Sequence, residues 1–152
     1  LVTREEWGSI VDRDDLTFIR LPVTEVIIHH TEGQEGCNTE RCKELVRNIQ
    51  ADKNGNFWVD IGYSFLICGD GKVYEGRGWD KQGAHTPGHN TIGIAIAFIG
   101  NFDEKLPTAA ALNAAKALIE YGLANGKISP DYDVIGHRDA SATTCPGDAL
   151  YN

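Results

Sequence analysis

Two short motifs of this chain carry the side chains best suited to metal chemistry. VIIHHT contains His29 and His30 at the end of an apolar run, and GHRDASATTCPG contains His137 and Cys145. One histidine of the first motif, together with His137 and Cys145, would supply two imidazoles and one thiolate to a zinc ion. Such a set leaves one position of tetrahedral Zn²⁺ open, which distinguishes catalytic from structural zinc. The sequence therefore predicts a zinc centre that supports hydrolysis.

The elements that position these motifs follow from the periodicity of apolar residues. In chain order they are a buried strand over 24–28, a helix that begins at 38 or 39, a hairpin of strands 62–68 and 72–76, a buried strand over 92–99, a helix from 107 to 125 and a strand over 132–135. This order predicts one mixed α/β domain over residues 1–152, with helices packed on a central mixed sheet. Because adjacent strand residues face opposite sides, only one of the two neighbouring histidines can reach the metal.

The composition excludes two classes of partner. The chain has 22 acidic and 14 basic residues and a net charge of -8, which gives no long-range attraction to nucleic acid or to an anionic membrane. Its longest uncharged apolar stretch, Ile92–Gly100, is about half of the roughly 20 residues needed to cross a bilayer. We therefore expect neither nucleic-acid binding nor membrane insertion.

The four cysteines predict a local disulfide. Cys145 is required for the metal, and Cys68 lies inside an apolar strand, which leaves Cys37 and Cys42 as a bridge that closes a short loop. A disulfide implies an oxidising compartment, so we expect a secreted, extracellular protein.

A different chemistry for Cys145 is a thiol nucleophile activated by His137. The neighbouring Pro146-Gly147 matches no nucleophile elbow or protease signature, which disfavours this alternative. Such a cysteine hydrolase would resist chelators and be blocked by alkylation.

Seven motifs recur in the order found in one known family. They are VIIHHT, the C-x4-C that contains Cys42, VDIGYSFLI, GKVYEGRGW, GAHT, IGIAIAFIGNF and GHRDASATTCPG. Together they cover almost the whole chain, and they resemble the peptidoglycan recognition proteins, animal relatives of the phage-type zinc amidases. The resemblance implies the type 2 amidase fold, a role in innate immunity and bacterial peptidoglycan or its muropeptides as the partner.

The resemblance also assigns the reacting groups. It implies that His29, rather than His30, binds Zn²⁺ with His137 and Cys145. It further implies hydrolysis of the amide between N-acetylmuramic acid and L-alanine. The tyrosine of DIGYSF, Tyr63, and the threonine two residues before the cysteine, Thr143, would stabilise the oxyanion.

A second set of residues would hold the stem peptide and glycan, again by resemblance: His30, Trp58, Arg77, His85 and Asn90. Arg77 lies between glycines, and its guanidinium suits the extra carboxylate of meso-diaminopimelic acid. The pair Phe57-Trp58 matches neither the Gly-Trp of diaminopimelate-preferring members nor the Asn-Phe of lysine-preferring ones, which leaves the stem type open.

The alternative to an enzyme is a non-catalytic recognition module, because many members have lost the cysteine and thereby the zinc. This chain keeps Cys145.

Overall fold

A mixed β-sheet forms the centre of the molecule. The computed structural model describes residues 1–9, 18–19, 21–31, 35–36, 38–51, 61–86, 88–139 and 145–151. Within these ranges the strands are β1 (Val23–His30), β2 (Phe65–Ile67), β3 (Val73–Glu75), β4 (Gly93–Phe98) and β5 (Ile128–Gly136). Their order in the sheet is β3-β2-β4-β1-β5, in which β2, β4, β1 and β5 are parallel and β3 is antiparallel to β2. The predicted mixed sheet is confirmed.

The helices of the described residues include the two long ones that the sequence predicts. They are α1 (Arg4–Trp7), α2 (Thr39–Ala51), α3 (Ala109–Ala124), a 3-10 helix (His137–Asp139) and α4 (Asp148–Tyr151). The Thr108 side chain caps α3 by accepting a hydrogen bond from the backbone N–H of Ala111. α1 is too short for periodicity to reveal, and a capping box between Thr3 and Glu6 defines its start. Among the described helices, none has the length and apolar character that a bilayer crossing requires.

The two faces of the sheet are built differently, as the sequence GIAIAF of β4 shows. Ile94, Ile96 and Phe98 point to the side covered by α3, whereas Ala95 and Ala97 point to the opposite side. The α3-side core consists of Ile19, Val23, Val26, Phe65, Ile67, Ile94, Ile96, Phe98, Phe102, Ala111, Ala115, Leu118 and Ile128. The α2-side core consists of Val2, Trp7, Cys42, Leu45, Val46, Ile61, Leu66, Cys68, Tyr74 and Ile99.

The disulfide is where the sequence prediction is wrong. Cys42 forms its bridge with Cys68, whose Cα lies 6.1 Å away, and not with Cys37, which lies outside the described residues. Cys42 lies on the buried side of α2, and Cys68 follows β2 at the place where that side packs on the sheet. An apolar environment therefore marks Cys68 as buried but does not mark it as reduced.

The parallel pairing of β1 and β5 brings the two metal motifs together. Ile28 pairs with Gly136, so His29 and His137, the next residues of the two segments, lie at the same edge of the sheet. On its other side β1 pairs with β4, which places Ala97 beside His29. β1 is thus fixed on both sides immediately before it presents its histidines.

Candidate metal centre

The three predicted zinc ligands converge. The ligand atoms of His29, His137 and Cys145 all lie within 4.8 Å of one another. Nδ1 of His29 is 3.7 Å from Sγ of Cys145, and the two imidazole rings have centroids 4.3 Å apart. Zinc bonds of about 2.0 Å to nitrogen and 2.3 Å to sulfur place tetrahedral ligand atoms roughly 3.5 Å apart. The set therefore fits a zinc ion with three protein ligands and one open position.

Burial keeps the histidines of the centre in their neutral form. His29 is 1% exposed, and burial, followed by the neighbouring His85, His137 and His30, lowers its pKa to about 2. Burial also lowers the pKa of His137. Neutral imidazole is the form that binds a metal, so both rings are ready to coordinate at neutral pH.

A buried threonine holds the far side of the His29 ring. Oγ1 of Thr86 lies 3.2 Å from Nε2 of His29 and 2.8 Å from Nδ1 of His85. Metal-binding histidines characteristically use their second ring nitrogen in such a hydrogen bond, which fixes the orientation of the ring. Sequence reasoning did not single out Thr86, although the motif GAHT places it directly after His85.

His30 faces the opposite side of the sheet, as strand alternation requires. The backbone N–H of Phe102 donates to its Nδ1 over 3.1 Å. The backbone N–H of His30 donates to Sγ of Cys145 over 3.3 Å, a contact that favours a negatively charged sulfur. His30 therefore contacts the centre through its main chain, and its predicted contact with the stem peptide stays a prediction.

Tyr63 and His85 lie beside the metal ligands. The ring centroid of His29 is 5.2 Å from that of Tyr63 and 5.3 Å from that of His85. Burial, followed by His137 and Arg77, lowers the pKa of His85 to about 3. The predicted oxyanion and groove residues Thr143 and Trp58 lie outside the described residues.

Two other predicted groove residues make internal contacts. Arg77 is 7% exposed, and its Nε and Nη1 donate to the carbonyls of Ile61 and Gln82 at 2.8 and 3.0 Å. Oδ1 of Asn90 accepts the backbone N–H groups of His85 and Thr86, both at 3.0 Å. Both side chains thus fix loops around the centre, and their contacts with a ligand stay predictions.

Comparisons with known proteins agree with this geometry. The family described as N-acetylmuramoyl-L-alanine amidase matches residues 20–148. Peptidoglycan recognition protein 1 of Bos indicus is 44% identical over 156 residues, which span 99% of this chain and 80% of that protein. The X-ray structure of bumblebee PGRP-SA has a TM-score of 0.94 at 45% identity and covers 99% of this chain and 90% of that one.

A further similar structure is a complex with a ligand. It is peptidoglycan recognition protein-LE in complex with tracheal cytotoxin, a monomeric diaminopimelic acid-type peptidoglycan. Its TM-score is 0.96 at 39% identity, over 99% of this chain and 89% of that one. The chain belongs to the peptidoglycan recognition protein family, and its sheet and helices form the fold of that family.

Proposed function

We propose that this protein is a secreted zinc amidase of innate immunity, which hydrolyses the amide between N-acetylmuramic acid and L-alanine in bacterial peptidoglycan. The observation that carries the proposal is the convergence of His29, His137 and Cys145, whose ligand atoms lie within 4.8 Å of one another. A three-ligand site with one open position is the arrangement of catalytic zinc. The complex of a relative with tracheal cytotoxin supports peptidoglycan as the substrate class.

The protein's own groups have separable roles in this reaction. Zinc, when bound, supplies Lewis-acid chemistry that polarises the scissile carbonyl and activates water. Thr86 fixes the ring of His29, and the backbone N–H of His30 stabilises the Cys145 thiolate. Tyr63, whose ring lies beside His29, is the candidate donor to the oxyanion, with Thr143 as a second one. The low exposure of His29 and His85 excludes bulk water, which strengthens these interactions.

The extracellular location is part of the same proposal. The disulfide between Cys42 and Cys68 supports it, because disulfides persist in oxidising compartments.

Selectivity for the stem peptide is assigned to Arg77, which would pair with the second carboxylate of diaminopimelic acid. The bonds to Ile61 and Gln82 hold its guanidinium in one orientation. Replacement by lysine keeps the charge and removes the fork. Calorimetric titration of Arg77→Lys should show a loss of about 1 to 3 kcal/mol for the diaminopimelate-type muropeptide and little change for the lysine-type one. Equal losses for both would assign Arg77 to loop structure alone.

The competing function is a non-catalytic recognition module, since relatives such as the one from Bos indicus are named for the recognition of peptidoglycan. Metal analysis of chelator-free protein, combined with an assay for the release of stem peptide, separates the possibilities. The amidase proposal expects about one zinc per chain and release that stops with chelator and returns with zinc. Muropeptide binding without zinc uptake or release would identify a recognition module. Release that resists chelator and stops on alkylation would identify a cysteine hydrolase.

A further inference from the structure

The Thr86 hydroxyl joins a metal ligand to a histidine of the groove. Its Oγ1 lies between Nε2 of His29, at 3.2 Å, and Nδ1 of His85, at 2.8 Å. Thr86 is 0% exposed, so water does not compete for these contacts. The other nitrogen of His85, Nε2, is buried and has no hydrogen-bond partner within the described ranges. His85 itself is 7% exposed.

The single hydroxyl proton of Thr86 fixes the direction of the two hydrogen bonds that join His29, Thr86 and His85. Among the described residues, the two rings are the partners of the Thr86 hydroxyl, which is 0% exposed. Its single proton is therefore satisfied by donation to one ring, and its oxygen accepts from the other. Both rings are buried, which disfavours their charged forms. In one order His29 donates to Thr86 and Thr86 donates to His85. In the other order both bonds are reversed.

The position of Cys145 selects the first order when a metal is bound. The ring nitrogen of His29 that faces Sγ of Cys145 is Nδ1, at 3.7 Å, so Nδ1 is the coordinating atom and carries no proton. The ring proton of His29 is then on Nε2 and points at Thr86. The threonine hydroxyl must donate to Nδ1 of His85, which leaves the proton of His85 on Nε2.

We propose that Thr86 is a positioning residue that couples the metal centre to the groove, because metal binding at His29 makes Nε2–H of His85 a hydrogen-bond donor for an oxygen atom of the ligand. A buried donor without a hydrogen-bond partner among the described residues is costly. A carbonyl or carboxylate oxygen of a stem peptide would satisfy it by displacing the groups that cover Nε2. The inference rests on the proposed zinc site but not on turnover.

A substitution of Thr86 should leave the conformation of the surrounding turn intact. Asn90 binds the backbone N–H groups of His85 and Thr86, so the turn does not depend on the threonine hydroxyl. Thr86→Val removes the hydroxyl at nearly constant shape. Thr86→Ser keeps the hydroxyl and is the matched control.

The test is a long-range ¹H–¹⁵N correlation spectrum of protein labelled at histidine nitrogens and loaded with zinc. We expect His85 to carry its proton on Nε2 in wild type and in Thr86→Ser, and to lose this single tautomer in Thr86→Val. Zinc affinity should fall about 10- to 100-fold in Thr86→Val, the range typical of a lost partner of a metal-bound histidine, and recover in Thr86→Ser. The muropeptide affinity of the zinc-loaded protein should likewise fall in Thr86→Val and recover in Thr86→Ser.

Two results would overturn the proposal. The first is a zinc-loaded wild type in which His85 carries its proton on Nδ1, which decides the question even if Thr86→Val fails to fold. The second is a folded Thr86→Val with unchanged tautomer and zinc affinity. The two proposals can fail separately. If His85 carries its proton on Nε2 but no hydrolysis occurs, the amidase proposal is wrong and the coupling through Thr86 is retained. If hydrolysis occurs while His85 carries its proton on Nδ1, only the coupling is wrong.

Discussion

The two faces of β4 carry out different tasks. Ile94, Ile96 and Phe98 fill one face and pack beneath α3, while Ala95 and Ala97 leave the other face shallow. Ala97 pairs with His29, so the shallow face is the one on which the candidate metal centre lies. Helices cover both faces of the sheet, but the small side chains at the end of β4 leave room beside α2 for the imidazole of His29.

The difference extends to what holds each face together. The α3 face is one continuous apolar core, whose stability comes from burial. The opposite face carries the α2-side core and, beside it, the candidate metal centre, around which individual polar contacts fix the loops, such as Arg77 on the Ile61 carbonyl and the Ser64 hydroxyl on the Ala95 N–H. Changes on the first face should therefore affect the free energy of unfolding, and changes on the second should affect metal and ligand binding.

The largest effect is expected from Cys145→Ser. Loss of the thiolate removes a metal ligand and several kcal/mol of Lewis-acid stabilisation, so kcat/KM for release of stem peptide should fall roughly 10³- to 10⁴-fold. Muropeptide binding should fall far less than activity, because the groove residues are a different set and only the contact through His85 depends on the metal. Activity and calorimetric binding on the same preparation check this. Simultaneous loss of both in a folded protein would contradict the division of the site.

Phe65→Ala should affect stability alone. Phe65 is 1% exposed on the α3 face, and its ring centroid lies 4.8 Å from that of Trp79. Truncation of a buried phenylalanine costs about 3 to 5 kcal/mol, measurable by urea denaturation. Zinc per folded chain should be unchanged. A variant that loses zinc while it is still folded would show that the two faces are not independent.

Acid should destabilise the metal-free protein. The folded pKa values of His29 and His85, about 2 and about 3, lie below the usual value of 6.5, so the folded state resists protonation. The stability that these neutral rings contribute is present above pH 6.5 and is lost as the pH falls. We expect the free energy of unfolding to fall by about 2 kcal/mol per histidine between pH 7 and pH 5. His85→Gln should remove about half of this dependence, and a flat profile in wild type would contradict the burial of both rings.

The smallest effect should come from Ala97→Val. Extra methyl groups beside His29 should cost about 1 kcal/mol of stability and displace the ring enough to weaken zinc about tenfold. Ala95→Val is the matched control, because Ala95 lies on the same face but pairs with Ile27 instead of the histidine. Competition titration with a zinc indicator distinguishes them. Equal zinc affinities of the two variants would show that the residue beside His29 does not determine the position of its ring.

Much of the fold could be predicted because its signals are local. The strand before His29 and the helix capped by Thr108 are visible as apolar periodicity and capping residues in the sequence. The Cys42–Cys68 bridge could not be predicted, because it depends on how α2 lies against the end of β2, 26 residues away in the chain.

The candidate site divides in the same way. Motifs pointed to His137, Cys145 and one of two adjacent histidines as candidate metal ligands, since imidazole and thiolate combinations are rare and chemically specific, and the family resemblance selected His29. The role of Thr86 was not visible, because a threonine after a histidine has no meaning until the turn bound by Asn90 brings it to His29. The bonds of Arg77 to Ile61 and Gln82 could not be predicted for the same reason, since the acceptors at these two residues are backbone carbonyls.

The position of β1 in the sheet has a consequence for how the chain is made. β1 ends at His30, but its two neighbours begin only at Gly93 and Ile128. On the ribosome, which adds roughly 5–20 residues per second, this apolar strand must wait for partners that have not yet been synthesised. One of its edges stays unpaired until β4 emerges and the other until β5 emerges. We therefore expect chaperones to bind the nascent protein at the segment that later presents His29.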